Sequence, residues 1–138
     1  MSIYSASVGA SSGSLTITAG SQGARIIKFD ISATAPQDGA EFQGVEVTRI
    51  TGVSGGTPVP VVALEDGGPA ALSTAQYGPF TATPGDALGT WAFPVYQLTP
   101  VKFPGGISLA PGDQVSFVLN YTPAGTVYLN VWLADSAA

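Results

Sequence analysis

The chain has 138 residues and a net charge of −5 from nine acidic and four basic side chains, with no cysteine and no histidine. That length suits one domain with its own hydrophobic core. The missing residue types exclude disulfides, thiolate or imidazole metal sites, cysteine nucleophiles and Ser-His-Asp catalysis.

The apolar and charged content sharpens this. Hydrophobic residues make up 45% and charged residues 9%, against about 25% charged in typical soluble domains. Disordered chains show the reverse balance. The chain lacks much of the charge that keeps free monomers apart, as expected of a subunit held in an assembly.

Gly (18) and Pro (11) punctuate the chain, and the runs between them are rich in Val, Ile, Thr, Tyr and Phe, the pattern of an all-β protein. The first predicted strand is "SIYSASV" (2–8), followed by the polar "GASSGS" (9–14) and a short strand "LTIT" (15–18). Residues 1–14 thus read as an N-terminal arm or edge strand, and 15–138 as a single β-sandwich domain. "ARIIKFDISA" (24–33) alternates, with Ile27, Phe29 and Ile31 on one face and Ile26, Lys28, Asp30 and Ser32 on the other. "FQGVEVTRITGV" (42–53) and "VPVVAL" (59–64) continue the series, Gly44 marking a bulge or a close backbone approach. Residues 65–89 read as a long ordered excursion, in which "PAALSTAQ" suits one or two helical turns.

"TWAFPVYQL" (90–98) is aromatic, and Pro94 argues for an edge strand or a bend. The strand after Pro111-Gly112-Asp113 sets Val115, Phe117, Leu119 and Tyr121 against Ser116, Val118 and Asn120. "PAG" (123–125) then predicts a hairpin with "GTVYLNVWLAD" (125–135). The expected fold is an all-β, antiparallel two-sheet β-sandwich of jelly-roll type with eight or nine short strands.

In that last strand Val127, Leu129, Val131 and Leu133 form one stripe, and Tyr128, Asn130 and Trp132 form the other. Only one stripe needs the sandwich interior. Tyr and Trp are enriched at buried interface centres, so the second stripe is read as an interface, with the core as the alternative. Ile3, Tyr4 and Val8 join it as candidates, because an N-terminal strand can pair with a neighbour's sheet edge.

Acid–base chemistry would fall to the nine carboxylates, most of them in turn contexts such as "LEDGG" and "PGDQV". No catalytic constellation emerges, so the chain reads as a non-enzyme without a cofactor. Glu65-Asp66 has the oxygen chemistry for a hard cation, but ligand spacing is missing and a solvated turn is favoured. Glycine pairs at 55–56, 67–68 and 105–106 read as turns. Arg25, Lys28, Arg49 and Lys102 are scattered, which argues against nucleic acid and anionic membranes as partners. "MSIYSASVGASSGS" has neither the basic start nor the apolar core of a secretion signal.

The succession of "IYSASV", "ARIIKFDISA", "EFQGVEVTRITGVSGGTPVPVVALEDGGPAALSTAQ", "GISLAPGDQVSFVLN" and "VWLAD" resembles a diffuse group of small all-β structural proteins of tailed bacteriophages. Head decoration (cement) proteins are the best understood proteins similar to it. The resemblance implies a virion protein made in the host cytoplasm and placed on the capsid surface. Its expected partners are its own copies, a trimer being favoured, and the major capsid protein. No functional residue is carried over. Two other expectations remain beside it: another self-assembling structural subunit of a tail, fibre or filament, and a carbohydrate-binding sandwich using Trp91 or Trp132 as a stacking platform.

Overall fold

The computed structural model describes residues 2–10, 14–33, 44–93, 97–119 and 125–136. Among these the chain forms eleven strands: β1 (Ile3–Ala10), β2 (Leu15–Thr18), β3 (Ala24–Ala33), β4 (Gly44–Ser54), β5 (Thr57–Val59), β6 (Val61–Ala63), β7 (Thr74–Tyr77), β8 (Thr81–Ala92), β9 (Thr99–Leu109), β10 (Gln114–Leu119) and β11 (Val127–Ala134). They make two antiparallel sheets, five-stranded in the order β6-β1-β11-β3-β9 and six-stranded in the order β5-β7-β2-β10-β4-β8. The pairs are nested: β1 with β11 and β3 with β9 in the first sheet, β2 with β10 and β4 with β8 in the second. The chain crosses between the sheets at every step except β4 to β5 and β7 to β8, and the inner faces of both meet in one core.

That core follows from alternation. Val127, Leu129, Val131 and Leu133 of β11 are fully buried, facing Leu15 and Ile17, Val115 and Phe117, and Val45 and Val47 of the six-stranded sheet. Each such side chain contributes about 1.5–3 kcal/mol of burial. At the β8–β9 side the filling is aromatic. Phe29 lies 5.4 Å from Phe117, 5.7 Å from Phe103 and 5.9 Å from Trp91, and Trp91 meets Phe103 edge-on at 5.4 Å. These rings come from both sheets; three of the pairs are edge-to-face, which suits the aromatic quadrupole, and Phe29–Phe103 is tilted at 39°.

Several expectations are corrected. β1 is an interior strand of its own sheet between β6 and β11, not an edge. Tyr4 and Ala6 are buried and Val8 packs against the core, so residues 3–10 belong to the sandwich. β10 and β11 form no hairpin, because they lie in different sheets. Residues 120–124, which connect them, lie outside the described residues, as does Pro94. The predicted strand 59–64 is broken at Pro60, where the chain passes from one sheet to the other. Proline donates no ladder hydrogen bond, which makes it a natural corner. The excursion at 65–89 contains β7 and most of β8 instead of helical turns. The count rises to eleven strands.

The alternation in β3 is also reversed at one point. Trp132 pairs with Lys28 and Leu133 with Ile26, so Ile27 is skipped by β11. On the other side Ile107 pairs with Ile26 and Lys102 with Lys28, so Phe103–Gly106 of β9 stand against Ile27 alone. This double bulge turns Ile26 into the core and Ile27 partly outward. The Gly105–Gly106 pair, expected as a turn, makes its bend inside β9, with both residues at φ near +75°.

Candidate functional site

The outer face of the five-stranded sheet can be read rung by rung. One rung runs Val62, Ser5, Trp132, Lys28 and Lys102. The next runs Ser7, Asn130, Asp30 and Pro100, and a third runs Gly9, Tyr128 and Ser32. Trp132, Asn130 and Tyr128 therefore share one face along β11, with the Val-Leu stripe on the other side. Of the predicted set, Tyr128, Asn130 and Trp132 are brought together, and Ile3 lies partly exposed at the Trp132 end. Tyr4 is not part of this surface. It is 3% exposed, and its hydroxyl donates to the Pro69 carbonyl at 3.0 Å. Val8 likewise turns inward.

Around Trp132 the charged and polar groups pair in part, and Asp30 Oδ1 stays buried without a hydrogen-bond partner among the described residues. The Lys28 ammonium sits 4.8 Å from the indole centroid, the indole N–H donates to Asp30 Oδ2 at 3.3 Å, and Lys28 Nζ lies 3.9 Å from Asp30 Oδ1. The cation lies over the electron-rich ring while its charge is balanced by the carboxylate, a contact worth roughly 0.5–1 kcal/mol where partly exposed. Lys28 thus occupies a face of Trp132, and Trp91 is taken up by the aromatic cluster. Neither offers the free stacking platform expected of them.

Tyr128 differs. It is 53% exposed and borders a shallow groove of about 370 Å³ lined by Ser7, Gly9, Asp30, Leu98 and Asn130. Ser7 Oγ donates to Asn130 Oδ1 at 2.5 Å. The ring lies against Gly9, where an added Cβ would stand 2.9 Å from Cδ1 and Cε1. An aromatic residue covering a cross-strand glycine is a known sheet-stabilising pair. The alternation of β11 put Tyr128 on the outer face, but its glycine partner depends on a register that no local pattern reveals.

Two other exposed apolar side chains lie at the far end of the same face. Val62 of β6 is 56% exposed and Leu64 53%. Val62 stands on the Trp132 rung, and the Leu64 amide donates to the Ile3 carbonyl at 2.9 Å. Ile3, Val62 and Leu64 thus flank the Trp132 end of the face, while Tyr128 lies four residues away along β11, roughly 13 Å at strand rise.

A second cavity, about 360 Å³, is lined by Tyr4, Gln22, Pro69, Leu72 and Asp135 among others. Asp135 accepts there from the Leu72 and Ser73 amides and the Ser73 hydroxyl. Glu65-Asp66 forms the expected turn, with Gly68 N–H donating to Glu65 O at 3.0 Å and Gly67 at φ 73°. Asp30 and Glu46 stand on the outer faces of different sheets. Asp38 and Glu41 lie outside the described residues. Among the described residues no group of three or more acidic side chains could hold a metal ion.

No protein family, no curated protein and no solved structure matches this chain.

Proposed function

We propose that this chain is a non-enzymatic virion subunit, a decoration protein on the capsid surface of a tailed phage, which ties neighbouring capsomers together. The nested pairing of β1 with β11, β2 with β10, β3 with β9 and β4 with β8 supports reading the sandwich as a jelly roll, an architecture common in capsid and lectin domains. The observation that carries the reading is the apolar end of the five-stranded sheet. Val62 and Leu64 are more than half exposed beside Ile3 and Trp132, in a chain with little charge to keep copies apart. Copies joined through this end form a trimer, and the trimer grips several capsid protein subunits at once. Weak contacts then add through multivalency.

Light scattering across a dilution series tests it. A discrete trimer mass is expected, moving to the monomer mass in a Val62→Glu, Leu64→Glu double variant whose circular dichroism is unchanged. A wild-type chain that is monomeric at all concentrations would sink the trimer. An open-ended polymer would instead make the chain a tail, fibre or filament subunit.

A further inference from the structure

We infer that the groove beside Tyr128 binds a neutral saccharide. The inference does not rest on the assembly reading, because the groove lies at the opposite end of β11 from Val62 and Leu64. Pyranose rings present apolar C–H faces and a rim of hydroxyls, so a protein site for them needs an exposed aromatic face with amide, hydroxyl and carboxylate groups around it. These stand together here. Tyr128 is half exposed with one side of its ring held against Gly9, so the ring is preorganised. Leu98, 60% exposed, extends the apolar wall.

The polar wall comes from the neighbouring rung. Ser7 donates to Asn130 Oδ1, which leaves the Asn130 amide nitrogen as a donor and the Ser7 oxygen as an acceptor. Asp30 forms the floor, its carboxylate held by the Trp132 indole and faced by Lys28. That pairing balances the charge locally, so the groove favours a neutral ligand over a cation or anion. At about 370 Å³ the groove falls near the lower end of the roughly 300–1,000 Å³ typical of small-molecule sites, a size for one or two sugar rings of a longer chain. Neither tryptophan provides such a face, so the site is Tyr128-centred.

The test is a titration of isotope-labelled full-length protein with a panel of neutral oligosaccharides: α- and β-linked glucans, galactans, mannans and N-acetylglucosamine oligomers. At least one member is expected to shift the amide signals of Ser7, Gly9, Tyr128 and Asn130 saturably. Tyr128→Ala is expected to weaken that binding at least tenfold. Gly9→Ala, which displaces the ring without removing it, is expected to weaken it by a smaller factor. Leu88→Ala on the six-stranded sheet, a control for general loss of fold, should leave it unchanged. No shift at millimolar concentrations across the panel would overturn the inference, as would binding indifferent to Tyr128→Ala. Signals at these positions that move with protein concentration and not with sugar would assign the face to self-contact and overturn it as well. The trimer mass is read separately, so either result stands without the other.

Discussion

At the scale of single residues, the side chain that ties most together is Asp135, just past the end of β11. Its carboxylate accepts from Leu72 N at 2.6 Å, from Ser73 N at 3.1 Å and from the Ser73 hydroxyl at 2.5 Å. Ser73 Oγ in turn accepts from Gly20 N at 3.2 Å. The segment before β7 is thereby clasped to the end of the other sheet. Gly20 is needed at this point because a Cβ there would stand 2.6 Å from the Leu72 carbonyl group. Hydrogen bonds to an ionised acceptor are worth more than neutral ones, and Ser73 is buried, so its donors lose water if the acceptor goes. Asp135→Ala is therefore expected to cost about 2–4 kcal/mol in urea unfolding. Asp135→Asn, which keeps one acceptor, should cost less. Hydrogen exchange at Leu72 and Ser73 should accelerate in both. A change below about 0.5 kcal/mol, within the range of ordinary surface substitutions, would show the clasp to be incidental.

At the scale of elements, the double bulge around Ile27 decides which isoleucine enters the core. Gly106 makes it possible: its φ is +76°, and a Cβ would lie 2.6 Å from Arg25 Cγ and 3.0 Å from the Ile26 carbonyl oxygen. The Arg25 guanidinium also donates to the Gly105 carbonyl. Gly105 has the same backbone angle but open space around it. Gly105→Ala should then lose only the backbone term, about 1–2 kcal/mol, and Gly106→Ala more, with a lower Tm by calorimetry. Equal losses would remove the steric part of the argument. The bulge also marks the limit of what local pattern reveals. β2 and β3 fall where alternation predicted them, and the two stripes of β11 are assigned to the right faces. Ile26 and Ile27 are exchanged because a bulge is a property of paired strands, not of one strand's periodicity. Residues 81–89 of β8, ahead of the strand expected from Thr90, carry no strand signal for a related reason. They form an exposed edge of small residues, glycine and proline, with no apolar alternation to read. The β10–β11 hairpin failed because turn chemistry is the same whether a chain returns within its sheet or crosses to the facing one. Of the candidate site, the Tyr128–Asn130–Trp132 stripe was legible. Its separation into a lysine-covered indole and an open tyrosine groove depends on cross-strand neighbours.

At the scale of the whole molecule, the sandwich has four sheet edges, and each discourages a neighbour from adding a strand. β5 and β6 have three residues each. β9 carries Pro100, Lys102 and Pro104 within five positions, and β8 carries Pro84, Gly85 and Asp86 together with three register breaks against β4. Short edges, prolines, charges and bulges are the devices that keep unpaired ladders from templating further pairing. A chain with only 9% charged residues has little electrostatic repulsion to prevent such growth, so the edges must do it. On the proposed assembly, association is then left to sheet faces and loops, where a symmetric contact closes into a finite oligomer. Removing the protection on one edge separates the two modes. A Pro100→Thr, Lys102→Thr, Pro104→Thr variant keeps every core side chain and gains β-propensity on β9. It is expected to retain the native circular dichroism when dilute and to form thioflavin-positive, open-ended aggregates on concentration, while the wild-type chain stops at a fixed mass. A variant that stays as soluble and as discrete as the wild type would show that edge chemistry is not what limits assembly, and that the low surface charge is tolerated for some other reason.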